Sequence, residues 1–162
     1  MKNILIFGNS GAGKTTLAKQ LQQEFKLKHL DLDTLAWTES TTSTPTRKPI
    51  SQSIKEIDSF LDDAHDWVIE GCYADLLEHV ANKANELIFL NPGVDVCIKN
   101  CRNRPWEPHK YASKEEQDKN LDMLINWVKE YETRDDEFSL KQHNILYDSF
   151  LGNKNEVKEI KY

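Results

Sequence analysis

Eight residues, Gly8-Asn9-Ser10-Gly11-Ala12-Gly13-Lys14-Thr15, keep the spacing G-x-x-x-x-G-K-[ST]. Each fixed position suits the grip of a polyphosphate. Glycines let the backbone close around an anion so that successive N–H groups point inward. Lys14 reaches the outer phosphates, and the Thr15 hydroxyl is a hard oxygen ligand for Mg²⁺. A helix opening at this point adds the partial positive charge of its N-terminus. A random chain of this length would carry the spacing roughly once in two hundred trials, so the flanks must decide. They agree. Ile4-Leu5-Ile6-Phe7 is a continuous apolar run, as a buried parallel strand requires. Leu17, Leu21 and Phe25 then recur every four residues as one stripe of a helix. Residues 8–15, with Thr16 beyond them, are the candidate nucleotide-binding set.

Moving a phosphoryl group asks for cations around it, a held Mg²⁺ and a second substrate in line. Asp31 and Asp33 close a strand-like run two residues apart, so extended chain would aim both at one face. One could take the proton of an acceptor hydroxyl, and the other could hold water on Mg²⁺. Glu70 ends another strand before Gly71, where an acid orients magnesium-bound water. Arg102 and Arg104 end a helix just before Pro105, inside a locally basic stretch that continues through His109, Lys110 and Lys114. There a lid could carry their planar forks onto phosphates. Arg47 is a candidate for a carboxylate or phosphate of the acceptor. Trp37 and Tyr73 could stack on a ring, and Gly71 with Tyr73 completes the acceptor-side set.

The elements that must position these residues alternate along the chain. Strand-like runs fall at 3–7, 28–32, 67–70, 86–90 and 156–160, separated by helical patterns at 14–25, 50–64, 74–84, 93–104, 115–133 and 136–149. Alternation of this kind implies an α/β fold with a parallel sheet and helices on both faces. Right-handed crossovers then gather the strand C-termini and residues 8–15 along one edge. The 162 residues suit one domain, residues 1–162, with an acceptor-side loop at about 38–49 and a lid at about 102–114.

Composition narrows the partners. With 27 acidic residues against 21 basic ones the net charge is −6, which speaks against a generic nucleic-acid or anionic-membrane surface. No apolar run approaches a membrane span and none reads as a signal peptide, so a cytoplasmic address is expected. Three cysteines are an odd count and do not suggest a disulfide scaffold. Cys97 and Cys101 keep phase with Val94 and Ile98, as small buried apolar residues on a helix would. Cys72, past a strand end, is a place for a reactive thiol.

The phosphate loop with Leu17, the Asp31-Leu32-Asp33 strand end, Glu70-Gly71 and the Arg102/Arg104 lid together resemble the small P-loop kinases of the adenylate-kinase and shikimate-kinase type. Leu32-Asp33-Thr34-Leu35-Ala36-Trp37 and Trp67-Val68-Ile69-Glu70-Gly71-Cys72-Tyr73 are similar to strand ends of a branch labelled "topology modulation protein". The resemblance covers most of residues 1–150 and is highly specific only at the phosphate loop. It implies a five-stranded parallel sheet in order 2-3-1-4-5, ATP with Mg²⁺ as cofactor, and transfer to a small-molecule or nucleotide acceptor. In that reading Lys14, Asp33, Arg102 and Arg104 are catalytic, Asp31, Asp33, Arg47, Gly71 and Tyr73 touch the acceptor, and Thr15, Asp31 and Glu70 serve the metal. Two departures matter. The branch commonly carries Asp where this chain has Glu70, and Gly71-Cys72-Tyr73 replaces the triple glycine of shikimate kinases, so shikimate does not fit. Asn82-Lys83-Ala84-Asn85 misses the acid of a guanine reader and precedes a strand. The alternative function is a regulatory nucleotide-binding ATPase with no small-molecule acceptor. Oligomeric state is not legible.

Overall fold

Apolar residues alternate in side as well as recur along the central strand, and that alternation builds the two cores. The computed structural model describes residues 1–38 and 46–159; most of the expected acceptor-side loop, residues 39–45, lies outside them. The strands are β1 (Asn3–Gly8), β2 (Lys28–Asp31), β3 (Trp67–Gly71), β4 (Glu86–Leu90) and β5 (Asn153–Val157). They form one parallel sheet in the order β2-β3-β1-β4-β5, the order the resemblance implied. On β1, Leu5 and Phe7 face one core while Ile4 and Ile6 face the other, as the period of two dictates.

Helices cover both faces. The first core takes residues of α3 (Ile50–Asp63), α4 (Ala74–Ala81) and α8 (Leu140–Ser149), including Ile57, Leu76, Leu77, Val80 and Leu146. The second takes Ala18 of α1 (Lys14–Phe25), Cys97 and Cys101 of α5 (Val94–Arg102), and Val128 of α7 (Leu121–Lys129). Phe7 and Phe89 stack face to face, centroids 4.8 Å apart, and the fully buried His143 meets both rings edge-on. The His143 Nε2–H donates to the Cys72 carbonyl at 2.8 Å, since a carbonyl only accepts, which leaves Nδ1 to accept from the Tyr131 hydroxyl at 2.7 Å.

Three expectations change. The fifth strand begins three residues earlier, at Asn153, because it is an exposed polar edge strand with little apolar pattern to mark it. The helix expected over 115–133 is two, α6 (Lys114–Lys119) and α7, broken at Asn120. The last helix starts at Leu140, where the Ser139 side chain caps it by accepting from the Gln142 N–H.

The close fit of the phosphate loop rests on missing side chains. Gly11 has φ +83°, and a Cβ there would sit 2.3 Å from the Cys97 carbonyl oxygen. Gly11→Ala is therefore expected to cost about 2 kcal/mol or more, from left-handed backbone strain and overpacking together. Urea denaturation would show it as a lowered midpoint.

Candidate active site

Strand β1 ends at Gly8, and the chain wraps over Asn9–Gly13 into α1, whose N-cap is Gly13 in the left-handed region. No acidic side chain occupies the first turn of α1, so the positive end of the helix faces the loop uncompensated. Two asparagines brace the loop from outside and inside. The Asn100 Nδ2 on α5 donates to the Gly11 carbonyl at 2.8 Å, and the buried Asn9 Nδ2 donates to the Val128 carbonyl at 3.3 Å. Lys14 curls back into the loop and donates to the Asn9 carbonyl at 2.7 Å. Ser10 and Ala12 complete the wrap, while Thr16 is exposed on the outer side of α1.

Glu70 reaches the loop from the end of β3. It is 1% exposed, and its two oxygens are split: Oε1 accepts from the Thr15 hydroxyl at 2.7 Å, while Oε2 meets His29 Nε2 at 2.7 Å. His29 was missed in the sequence. It stands on β2 in register with Val68, two residues before Glu70, and its imidazole fixes the carboxylate's rotation.

The acids Asp31 and Asp33 do not share the face of an extended strand. β2 stops at Asp31, whose Oδ1 accepts the backbone N–H of Asp33 at 2.9 Å, and a short helix α2 (Asp33–Ala36) begins there. The side-chain-to-backbone bond turns the chain, and the acids end up at different depths. Asp31 faces Glu70 across the β2–β3 pair. Burial, then the charges of Asp33 and Glu70, push its carboxyl up to about 6. Burial would raise Asp33 as well, but the charge and hydrogen bond of Lys110, and the hydrogen bond of Tyr73, outweigh it and hold Asp33 below the usual range. Of the two acids, Asp31 takes the first proton.

Because its acid form is favoured in the fold, the contribution of Asp31 to stability is fully present below the unfolded value near 3.8 and is lost as pH rises through about 6. Asp31→Asn in magnesium-free buffer is thus expected to stabilise the protein by roughly 2 kcal/mol at pH 8 and hardly at all at pH 4. Thermal melts at the two pH values would check it.

Lys110 was counted in the basic stretch but not assigned to the site. Its Nζ lies 2.8 Å from Asp33 Oδ2, 3.3 Å from Glu107 Oε2 and 3.8 Å from Asp31 Oδ2. Residues 103–113, between α5 and α6, thus fold back onto the ends of β2 and α2. Within this segment Arg104 pairs with Glu107 at 3.4 Å, and Arg102 is exposed at the end of α5. The basic residue of this segment that meets the acids is the lysine, which the sequence reading left without a role.

Asp33 is held from the other side by Tyr73, whose hydroxyl donates to Asp33 Oδ1. The Trp37 indole N–H in turn donates to the Tyr73 oxygen at 2.8 Å. These two aromatics therefore orient an acid, and Tyr73 itself is buried. Arg47 is also placed differently from the expected acceptor-facing guanidinium. Its nitrogens meet Asp75 at 3.2 Å, Glu137 at 3.4 Å and the Ala36 carbonyl at 3.3 Å, and the guanidinium lies 4.7 Å over the Tyr73 ring. Gly71 packs against Leu32, where a Cβ would come within 2.9 Å of that side chain. Cys72 is buried and burial pushes its thiol up to about 12, so it is unreactive at neutral pH; Cys97 and Cys101 are core residues.

Oxygen donors at Thr15 and Glu70, with Asp31 beside them, fit Mg²⁺, which keeps several waters and takes one or two carboxylates plus substrate phosphates. Among the described residues no cluster of three or more His, Cys, Asp or Glu side chains could hold a metal by itself. A magnesium ion here would arrive with the nucleotide. Among the described residues, too, no helix is long and apolar enough to cross a membrane.

Comparison with known proteins agrees with the fold. The chain is 25% identical over 136 residues to the uncharacterized protein YqaC of Bacillus subtilis (strain 168), covering 81% of this chain and 73% of that protein. Its fold is similar to a shikimate kinase from Bacteroides thetaiotaomicron, with TM-score 0.54, 16% identity, and 99% of this chain and 89% of that one covered. A gluconokinase from Sinorhizobium meliloti 1021 is similar at TM-score 0.52 and 15% identity, with 98% and 84% covered. A deoxyadenosine kinase from M. mycoides is similar at 0.50 and 12%, with 98% and 92% covered. Residues 4–121 match the AAA domain family. That span includes the phosphate loop, both acids of the β2 end, Glu70 and Lys110, and by it the chain belongs to the AAA domain family, built on the fold of the small P-loop kinases.

Proposed function

We propose that the protein binds ATP with Mg²⁺ and transfers the γ-phosphoryl group to a hydroxyl of a small molecule. The observation that carries this is one juxtaposition. Thr15 of the phosphate loop is bonded to Glu70 at 2.7 Å, Glu70 pairs in register with Asp31, and Asp33 follows two residues on, held by Lys110 at 2.8 Å, so a phosphate grip and an acid share one sheet edge. A loop and acid so arranged can hold donor and acceptor in line.

The roles follow from the chain's own groups. The inward N–H groups of Gly8–Thr15 and Lys14 hold the phosphates, and Thr16 follows them on the helix. Thr15, Glu70 and Asp31 would hold Mg²⁺ directly or through water, and the ion supplies neutralisation of phosphate charge when bound. Asp33 takes the proton of the acceptor hydroxyl, whose oxygen forms the new bond to the γ-phosphorus while the bond to the β–γ bridging oxygen breaks and ADP leaves with that electron pair. Tyr73 and Lys110 aim Asp33 for this, and Gly71 keeps the floor beside it low. Arg102 and Arg104, on the proposed lid, would meet phosphate charge once the Arg104–Glu107 pair opens.

The test is ADP release from Mg-ATP across a panel of nucleosides, nucleotides, sugars and hydroxy acids. Strong stimulation by one compound, with phosphate appearing on it, is the expected result. Tight ATP binding with no stimulation by any member would turn the reading towards a nucleotide-dependent switch.

A further inference from the structure

Resting on the transfer reading, we infer that His143 is a positioning residue for Asp33, acting through the main chain of Cys72 and the side chain of Tyr73. Separate contacts converge on the turn between β3 and α4. The His143 imidazole, fully buried in the first turns of α8, donates from Nε2 to the Cys72 carbonyl at 2.8 Å. The Ala74 N–H donates to the Glu137 carbonyl at 2.8 Å. The Phe138 ring meets the Tyr73 ring edge-on, centroids 5.3 Å apart. Both peptide groups that flank the Tyr73 α-carbon are thus bonded to residues 137–143, and the ring between them packs on the same stretch. Tyr73 in turn donates to Asp33 Oδ1 and accepts from the Trp37 indole.

The chemistry of the buried ring points to more than filling space. An imidazole packed against Phe7 and Phe89 costs free energy unless its nitrogens are paired, whereas a leucine would fill much of the volume without that cost. Both nitrogens are paired, Nδ1 with the Tyr131 hydroxyl at 2.7 Å, so the ring cannot turn without breaking a bond. What it holds is the Cys72 carbonyl, one residue past the end of β3, where the strand ladder no longer fixes the chain. The Tyr73 hydroxyl lies at the far end of its side chain, so a small rotation of the peptides at its base becomes a larger displacement at Asp33. Transfer is sensitive to such displacement: a shift of about 1 Å caused far from the chemistry can cost up to about a hundredfold.

The experiment compares His143→Leu, which removes the donor, with His143→Gln, whose amide nitrogen can donate to the Cys72 carbonyl. Each is made alone and combined with Tyr73→Phe. Transfer is measured with Mg-ATP and the panel compound that most stimulates ADP release. His143→Leu is expected to lower kcat about threefold to tenfold while the Kd for Mg-ATP stays within about twofold. His143→Gln should recover most of that loss. In the Tyr73→Phe background the effect of His143→Leu should shrink below about twofold, because one path carries both. Tyr131→Phe, which unpairs only Nδ1, should show a smaller loss of kcat with the same dependence on Tyr73, and it decides the matter if His143→Leu does not fold. A signal independent of turnover is the Trp37 indole N–H resonance, assigned with Trp37→Phe, which should move in His143→Leu as it does in Tyr73→Phe. An equal loss in both backgrounds, or an unmoved indole resonance with unchanged kcat, would overturn the role and leave His143 a core residue. A moved resonance in a protein whose wild type binds ATP but transfers to no compound would instead remove the transfer reading, and this role with it.

Discussion

Lys14→Ala is expected to weaken Mg-ATP binding by at least a hundredfold, close to 3 kcal/mol, as measured by calorimetry. The ammonium already lies inside the loop, 2.7 Å from the Asn9 carbonyl, so it meets an arriving phosphate without a long search. Its loss leaves only neutral N–H donors and the helix end to offset several negative charges. The fold should survive, because the side chain makes one partly buried hydrogen bond and no core contact. An unchanged melting curve would confirm that. Wild-type affinity in the variant would remove the assignment of residues 8–15 as a phosphate grip, and with it every role placed around them.

Asp33→Asn is the second large effect. Transfer to the acceptor is expected to fall by about a hundredfold to ten-thousandfold, the usual reach of a general base, while the dissociation constant for Mg-ATP stays within about threefold. The amide keeps the shape but has a single acceptor oxygen, so it retains the bond from Tyr73 or from Lys110 and not both, and it cannot take a proton at neutral pH. Tyr73→Phe serves as the comparison. It removes one donor to Asp33 and should slow transfer by a smaller factor without touching nucleotide affinity. If Asp33→Asn transfers phosphate at the normal rate, the acid belongs to the architecture of the β2–α2 turn and the base must be sought elsewhere.

The readable part of this protein was local. The β1–loop–α1 unit declared itself because an apolar run, fixed glycines and a four-residue stripe each constrain a different degree of freedom and all agree. The strands β3 and β4 followed from short, largely buried apolar runs, and β2 from a short half-buried one. What escaped was set by tertiary geometry or by polar turns. Asp31 and Asp33 were read with a strand's period of two, and a single bond from the Asp33 N–H to Asp31 Oδ1 broke that period. Lys110 is 77 residues from Asp33 in a stretch without periodicity, so only the fold-back of the lid reveals it. His29 and Glu70 meet because β2 and β3 are neighbours in register, a pairing no single strand announces. β5 was mislaid because an exposed edge strand spelled Asn-Lys-Asn-Glu-Val has no hydrophobic signature to find.

The imidazole set edge-on against the stacked rings of Phe7 and Phe89 makes the fold sensitive to acid. Both of its nitrogens are committed, one to a main-chain oxygen and one to a phenol, and burial depresses its basicity to about 4. The unfolded chain would bind that proton near 6.5, so stability is whole above that point and drains away as pH falls towards 4, by roughly 3 kcal/mol from this one ring. Acidification would loosen the hydrophobic layer directly beneath the catalytic edge.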